Sequence, residues 1–374
     1  MNYNSSIYNL YYEWWKNIDK FIFSLIILLF VTGLFFSLLS TSLLVSDKLD
    51  TNDYAFFFKH LSFVFLGLVI IFMLSSINEE KLFKISPVIF IISLVFLFLV
   101  PIIGIEVNSA RRWLDFNILP RFQPIELVKP FLIILISLIL SNEKYTNIYF
   151  KYLFSFLITL VIGLLLAAQP DIGQTLLVFF SWSVLIFISG INVIFLVISC
   201  LVLSVALYFS INLIPKFAYI KNRILSFFNT ETGTHNAQSE KAIDSITSGG
   251  FFGKGIGEGT LKNRVPEAHT DYIISVISEE FGVIAIILIL LMFLVLIYSV
   301  FKKINLENKE RTKLVLVGCV SLILLQAMIH IGVNIRLFPT TGMTLPFISY
   351  GGSSIISISI LSGIILNLTK RRVS

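Results

Sequence analysis

Three ionisable side chains lie in a short segment immediately before a long apolar run. Glu267, His269 and Asp271 belong to residues 265–272, and the apolar run covers residues 273–300. A carboxylate inside a bilayer costs about 2.5–3.5 kcal/mol on insertion scales, so apolar chains confine such groups to sites or to the water boundary. A positioned carboxylate can take a proton from a hydroxyl nucleophile, which accelerates a reaction about 10²–10⁴-fold. Asp271, at the boundary, is therefore the candidate general base.

The neighbours of Asp271 allow two interpretations. Glu267 lies four residues earlier and would share a helix face with Asp271, whereas His269, two residues away, would not. In the functional interpretation both carboxylates belong to one site. In the structural interpretation Pro266, Glu267 and Asp271 are helix-start residues that the helix dipole favours. The residues alone leave both open.

The composition places the chain in a membrane. Of the 374 residues, 56% are hydrophobic and 13% charged, against about 25% charged in soluble domains. Apolar runs near the roughly 20 residues that span a bilayer predict about ten transmembrane helices. These runs are 21–45, 56–76, 85–104, 125–140, 152–168, 172–189, 193–214, 272–301, 314–333 and 345–368. The sequence thus predicts an all-α polytopic membrane protein, although the short fourth and fifth runs also allow nine spans and one re-entrant segment.

The cations orient these helices. An even number of spans places both termini on one side, and short loops rich in Lys and Arg, such as 302–313, lie in the cytoplasm. We therefore expect one membrane domain, residues 1–374, with cytoplasmic tails at 1–20 and 369–374. A long periplasmic loop, 216–271, should separate the seventh and eighth helices. Bilayer phosphates explain the scattered cations better than nucleic acid does.

A glycine-rich run at residues 249–259 lies in this loop. Its spacing excludes a P-loop and the dinucleotide-binding fingerprint. One interpretation is a flexible, turn-rich loop. The other is a backbone that approaches a phosphate or sugar, helped by Lys254 and Lys262, because glycine removes the side-chain barrier.

Two charged pairs add to the candidate site. Arg111 and Arg112 precede Trp113 on the predicted outer face and could bind phosphate or form an interfacial anchor. Glu126 and Lys129 are three residues apart and would pair on one helix face, because each is costly in lipid alone. That pair could shape the site, with Lys129 reaching a phosphate, or be purely structural.

The small residues at 349–354 favour close helix packing, with a substrate contact from Ser349 as the lesser alternative. Asp171, after Gln169 and Pro170, is predicted to cap a helix at a tight turn. Cys200 and Cys319 lie inside predicted helices, which argues against disulfides and thiolate metal sites.

Together these segments resemble the SEDS family of bacterial cell-wall polymerases. The matching segments occur in the family's order from about residue 14 onward: 110–113, 122–124, 169–173, 253–257, 266–271, 279–282 and 339–354. Residues 341–347 are more similar to the division branch, FtsW, than to the elongation branch, RodA. Ser109, Gln174 and Arg336 depart from the usual pattern.

The resemblance implies a glycosyltransferase that polymerises lipid II at the outer face of the cytoplasmic membrane, at the division septum. The acceptor's 4-hydroxyl would attack the anomeric carbon of the growing chain, and undecaprenyl pyrophosphate would leave. Asp271 matches the family's catalytic aspartate. The implied partners are a class B penicillin-binding protein and other divisome proteins, and a divalent cation, Mg²⁺ or Mn²⁺, is compatible with the chemistry. The alternatives are a lipid II flippase and an elongation-type polymerase.

Overall fold

The computed structural model describes residues 11–41, 55–107, 110–116, 120–144, 147–213, 221, 225, 227, 234–261 and 265–370. The helices with defined bounds are α1 Lys20–Thr41, α2 Ala55–Ser76, α3 Glu79–Ile103, α4 Pro124–Leu140, α5 Ile148–Ala168, α6 Ile172–Ile188, α7 Val193–Leu213, α8 Thr234–Gly249, α9 Ile273–Leu306, α10 Glu310–Asn334 and α11 Gly352–Leu368. Strands β1 Ile105–Val107 and β2 Ala110–Trp113 form one antiparallel pair.

Each of the ten predicted apolar runs overlaps one of these helices. Within the described residues, six helices are long and apolar enough to cross a membrane: α1, α2, α3, α5, α9 and α10. The prediction of a helical, multi-pass membrane protein is therefore confirmed. Helices α4, α6 and α11 have 17 residues each, below the usual 20 or so, and the number of ten spans stays a prediction.

The last predicted span begins later than expected. Residues 345–351 are not helical, and α11 starts only at Gly352. The irregular segment contains Pro346, and Phe347 has a left-handed φ of 66°, which an α-helix cannot accommodate. The apolar residues Leu345, Phe347 and Ile348 of this segment are buried inside the protein, so the hydropathy pattern alone could not distinguish them from a membrane helix.

The structure adds one element to the predicted all-α fold, the β1–β2 hairpin. This pair follows α3 directly and aligns Glu106 with Arg111. Leu114 and Phe122 extend the hairpin through two further backbone hydrogen bonds. The strands have three and four residues, too few for a pattern of alternating polarity to predict them.

The long loop contains more structure than expected. Helix α8 packs along the beginning of α9, where Ala242 is buried against Val265, Ala268, Tyr272 and Val276. The segment that precedes α9 is thus held between α8 and the rest of the protein. The mostly buried helices α4, α10 and α11 lie together at the centre of the molecule.

Candidate active site

A cavity of about 1250 Å³ lies where the β1–β2 hairpin, α2, α4, α6 and the segments before α9 and α11 meet. Four of the predicted site residues line it, namely Arg112, Glu126, Glu267 and Asp271. Five others do not: Arg111, Lys129, Lys254, His269 and Ser349. The structure therefore gathers the central predicted residues in one place and gives the remaining ones different roles.

Asp271 is fixed by its backbone at the entrance to α9. Its N–H donates to the carbonyl of Glu267 at 3.1 Å, and its own carbonyl accepts from Nδ2 of Asn334 at 3.0 Å. Its partly buried carboxylate faces the cavity. Because α9 begins two residues later, the position of the carboxylate is set by the helix start and by α10 together.

The prediction that Glu267 and Asp271 share a helix face is wrong. Residues 266–272 form turns, and the N-cap residue of α9 is Tyr272. Glu267 has a φ of 53°, and its carbonyl accepts hydrogen bonds from the N–H groups of Thr270, Asp271 and Tyr272. The helix-start interpretation stays open for Asp271, which directly precedes the N-cap residue, although no acidic residue lies in the first turn of α9. Both carboxylates nevertheless line the cavity.

Ser349 and His269 support the Asp271 segment from outside the cavity. The Ser349 hydroxyl donates to the carbonyl of Thr270 at 2.7 Å, and the N–H of Tyr350 donates to the carbonyl of His269 at 3.1 Å. The His269 ring packs against Phe56 and Tyr350, with ring centres 5.2 and 6.1 Å away. Burial lowers the pKa of His269, and the charge of Glu267 opposes this shift. These contacts position the segment before α9.

Strand alternation separates the two predicted arginines. Arg111 points outward and pairs with Glu106 at 3.5 Å, with about half of each side chain exposed. Arg112 points inward: its guanidinium donates to the carbonyls of Gln169 and Pro170 and lies 3.7 Å from the carboxylate of Asp171. Of the two, only Arg112 therefore presents its charge to the cavity.

Gly342 shows how closely Arg112 approaches Asp271. A Cβ atom built on this glycine would lie 3.6 Å from Oδ2 of Asp271 and 3.9 Å from Nη1 of Arg112. Gly342 has a φ of 72°, a conformation that glycine adopts without steric cost. The carboxylate and the guanidinium thus face one point in the cavity, which side chains leave open.

Asp171 has the predicted capping role. Its side chain accepts from the N–H of Gln174 at the start of α6, at 3.4 Å. It also accepts from Nε2 of Gln123 at 3.0 Å, and it holds Arg112 as described above. Asp171 therefore links the hairpin to α6 and orients the arginine.

The predicted Glu126–Lys129 pair is present and is fully enclosed. Nζ of Lys129 lies 2.9 Å from Oε1 and 2.8 Å from Oε2 of Glu126, and the lysine and glutamate side chains are 0% and 4% exposed. Oε1 also accepts from Nε2 of Gln174 at 2.9 Å, and Lys129 donates to Gln326 at 3.4 Å. Glu126 reaches the cavity wall while Lys129 stays behind it, so Lys129 acts on the site through Glu126.

Sequence reasoning missed the amides that complete this network. Gln326 of α10 donates to the carbonyl of Thr344 at 3.1 Å, and the hydroxyl of Thr344 donates to Ser354 at 2.7 Å. Asn334, at the end of the same helix, holds the carbonyl of Asp271. Both amides interrupt an apolar helix, and such polar residues find partners because lipid offers none. That signal was available in the sequence.

The glycine-rich run approaches protein backbone, and the prediction of a phosphate-binding loop is not supported. Helix α9 is interrupted at Gly282, which has a φ of 74°. The N–H of Lys254 donates to the carbonyl of Glu279 at 2.8 Å, and the N–H of Val283 donates to the carbonyl of Gly250 at 3.1 Å. A Cβ on Gly282 would collide with the carbonyl oxygen of Phe251. The glycines therefore allow the backbone of the loop to pack directly against the interrupted helix.

Lys254 takes part in this contact. Its Nζ pairs with the buried carboxylate of Glu279 at 3.2 Å. That carboxylate also accepts from the N–H groups of Thr260 and Leu261, each at 2.9 Å, and from the hydroxyl of Ser245. A substrate role for Lys254 thus loses its support, and Lys262 lies outside the described residues.

The carboxylates of the cavity do not form a metal cage. In the described part of the chain, no group of three or more His, Cys, Asp or Glu side chains is arranged to hold a metal ion. Mg²⁺ is often bound by one or two carboxylates together with substrate phosphates. A divalent cation here would therefore depend on phosphate ligands, and the compatibility of the site with Mg²⁺ or Mn²⁺ stays a prediction.

The fold and the cavity define a polytopic membrane protein with an acid–arginine site at the end of a broken helix. The family model for cell cycle proteins of the FtsW, RodA and SpoVE type matches residues 19–373. The chain belongs to this family.

Relatives and solved structures agree with this assignment. A protein of Caulobacter vibrioides named "Probable peptidoglycan glycosyltransferase FtsW" is 30% identical over 96% of this chain and 91% of its own length. One of the same name from Haemophilus influenzae is 31% identical over 94% and 90%. A chain from a peptidoglycan synthase complex, solved to show how polymerization and crosslinking are coordinated, superposes with a TM-score of 0.77 at 25% identity over 94% and 97% of the two chains. The rod shape determining protein RodA of Thermus thermophilus superposes with a TM-score of 0.69 at 25% identity, over 94% of this chain and 96% of the RodA chain.

Proposed function

We propose that this protein is a peptidoglycan glycosyltransferase that polymerises lipid II during cell division. The observation that carries the proposal is the cavity in which the carboxylate of Asp271 and the guanidinium of Arg112 face one open point. The relatives that match over nearly the whole chain are named for this activity and for the division protein FtsW. An elongation role, as in RodA, is the alternative within the family.

In this mechanism the oxygen of the acceptor's 4-hydroxyl forms a bond to the anomeric carbon of the growing chain, and Asp271 accepts the proton of that hydroxyl. The bond from that carbon to the pyrophosphate oxygen breaks, and undecaprenyl pyrophosphate leaves with the negative charge. Arg112 faces the same point and can stabilise that charge, because guanidinium binds phosphate oxygens through paired donors. Glu126 and Glu267 line the wall, and the exposed Glu267 can accept hydrogen bonds from sugar hydroxyls.

A lipid II flippase is the second candidate, because transporters often use broken helices. Helix α9 is broken at Gly282, but the loop at residues 250–255 satisfies the freed backbone groups there. Gly282 does not line the cavity, and Asp271 lies two residues before the first residue of α9, eleven residues from the break. The break therefore provides the packing site for the loop, which favours an enzyme over a flippase.

One preparation can separate the two candidates. The purified chain in proteoliposomes is given lipid II, and glycan length and lipid II translocation are measured together. The proposal predicts glycan strands whose formation is lost when the cavity is blocked. Translocation of intact lipid II without any polymer would favour the flippase. Restoring Mg²⁺ or Mn²⁺ after EDTA treatment tests the cation requirement in the same assay.

The distance along α9 supports placing its two ends on opposite sides of the membrane. Residues 302–313 lie at the opposite end of α9 from Asp271, and at most about 51 Å separates the ends of this 34-residue helix. We propose that the loop 216–264 faces the periplasm while residues 302–313 and both termini face the cytoplasm. A single cysteine placed in the loop 216–264 should react with a membrane-impermeant thiol reagent, and one placed in residues 302–313 should not. Labelling of the second loop in cells with a permeabilised outer membrane and an intact inner membrane would contradict the topology.

We also propose a class B penicillin-binding protein as the partner at the septum, with other divisome proteins. The family model accounts for residues 19–373 as a cell cycle protein, and one structural neighbour belongs to a complex that coordinates polymerization with crosslinking. Co-purification with a transpeptidase of the same cell, or faster glycan synthesis in its presence, is the expected result. Absence of both with every such transpeptidase would favour an autonomous enzyme.

A further inference from the structure

Three large apolar side chains project from the glycine-rich loop. Phe251, Phe252 and Ile256 are 62%, 78% and 62% exposed, and the two phenylalanine rings touch with centres 5.7 Å apart. In a loop that faces only water, such exposure would be costly, because each of these side chains loses favourable burial. The patch therefore needs an apolar surrounding.

The backbone that carries the patch is firmly attached. The N–H groups of Gly253, Lys254 and Gly255 donate to the carbonyls of Gly249, Glu279 and Glu280 at 2.8–3.1 Å. The buried carboxylate of Glu279 secures the same loop, as described above. The three apolar side chains thus project in a fixed direction from the break in α9.

The break lies at the level of one membrane face. The part of α9 beyond Gly282, residues 283–306, is about 36 Å long at 1.5 Å per residue, enough to cross the roughly 30 Å hydrocarbon layer alone. Phe281, next to the break, packs against Phe35 and Phe36 near the end of α1, at ring distances of 5.9 and 5.6 Å. The break thus lies about 8 Å, or five residues at 1.5 Å each, before the end of α1 at Thr41.

The patch continues the exposed apolar surface of α9. The N–H of Ile284 donates to the carbonyl of Phe251 at 3.4 Å, so the loop lies directly against the helix. The next exposed large apolar side chains along this part of α9 include Ile287 and Leu288, which are 43% and 56% exposed. A stable protein interface usually needs about 800 Å² from each partner, whereas three side chains that extend a lipid-facing strip suit a bilayer.

We propose that Phe251, Phe252 and Ile256 insert into the membrane leaflet on the Asp271 side, which is the outer leaflet in the topology above. Aromatic rings are favoured at that depth, between the headgroups and the acyl chains. Since the loop is bonded to the beginning of α9, the insertion holds the start of this helix at a fixed height above the lipid. The proposal concerns lipid contact and does not depend on the reaction.

Spin labels on the full chain in proteoliposomes test this insertion. In a background with Cys200→Ala and Cys319→Ala, nitroxides are attached at position 252 and, as the control, at position 258, an exposed glutamate of the same loop. Power saturation then compares accessibility to oxygen, which concentrates in lipid, with accessibility to a water-soluble nickel chelate. Position 252 should favour oxygen, and position 258 should favour nickel.

Two results would overturn the proposal. A nickel-accessible label at 252 would show that the patch lies in water. A label at 252 that neither reagent reaches, both in proteoliposomes and in detergent, would show that protein covers the patch, from this chain or from a second copy. As a further check, Phe251→Asp with Phe252→Asp should raise the nickel accessibility of a label at position 256, and an unchanged value would also contradict insertion.

Discussion

Replacing Lys129 by methionine tests the buried network beneath the cavity. Lys129 is enclosed completely and lies within 2.9 Å of both oxygens of Glu126. The Lys129→Met variant would keep much of the side-chain volume but would leave Glu126 charged and buried, with Gln174 as a hydrogen-bond donor that stays in place. Methionine also cannot donate to Gln326. The substitution therefore isolates one charge in a place with little water.

The expected cost follows from the enclosure. Removing one partner of a buried ion pair destabilises a protein by about 3–5 kcal/mol. The matched control is Arg111→Met, because Arg111 pairs with Glu106 at 3.5 Å and about half of each side chain is exposed, and exposed pairs contribute about 0–1 kcal/mol. Equilibrium unfolding in mixed micelles measures both free energies.

A double variant tells whether the charge itself is responsible. Glu126→Gln with Lys129→Met removes both charges and keeps an acceptor oxygen for Gln174. Its free energy of unfolding should recover most of the loss, since replacing both partners of a buried pair is often close to neutral. A Lys129→Met variant as stable as the wild type, or a double variant less stable than Lys129→Met, would refute this reasoning.

Two further predictions concern the cavity and its support. Gly342→Ala and Gly190→Ala both force alanine to a positive φ, at 72° and 85°, and each variant should lose about 1–2 kcal/mol of folding stability. Only Gly342→Ala places a methyl group between Asp271 and Arg112, so only this variant should polymerise about tenfold or more slowly. Equal activities of the two variants would contradict the site geometry. Because burial lowers the pKa of His269, the unfolded chain binds a proton below about pH 6.5 more readily than the folded protein, so stability should decrease as the pH falls. His269→Gln should make this decrease smaller in thermal unfolding between about pH 8 and 5, and an unchanged slope would contradict the assignment.

The sequence predicted the position of the apolar helices well because hydropathy depends on composition within one segment. Every apolar run overlaps a helix, and the i,i+3 spacing correctly placed Glu126 beside Lys129. The capping role of Asp171 was also correct, because a cap depends on its nearest neighbours. Local rules were sufficient for these features.

The rest depended on contacts between distant segments. Residues 345–351 follow the hydropathy of a span, but their apolar side chains are buried between helices, with Phe347 against Phe30 of α1 at a ring distance of 5.1 Å. The glycine run looked like a ligand loop because glycine signals close approach without naming what approaches. Only the structure shows that Gly253 meets the backbone of Glu280, and that Lys254 pairs with Glu279.

The sequence predicted the central residues of the candidate site but not the elements that surround and orient them. Asp271, Arg112 and Glu126 line one cavity although more than 140 residues separate the first from the others. Arg111 was grouped with Arg112 because neighbours in sequence seem equivalent, but a strand directs them to opposite faces. The short hairpin that decides between them could not be predicted from strands of three and four residues.

Polymerisation of lipid II by the Asp271→Asn variant tests the central claim most directly. The amide keeps the size of the side chain and removes the proton acceptor, so glycan synthesis should fall about 10²-fold or more, while lipid II binding persists. The control is Asp244→Asn, which makes the same change at an exposed position of α8 and should leave synthesis unchanged. Loss of polymer with binding retained is the predicted result. Full polymerisation by Asp271→Asn would contradict the assignment of Asp271 as the base.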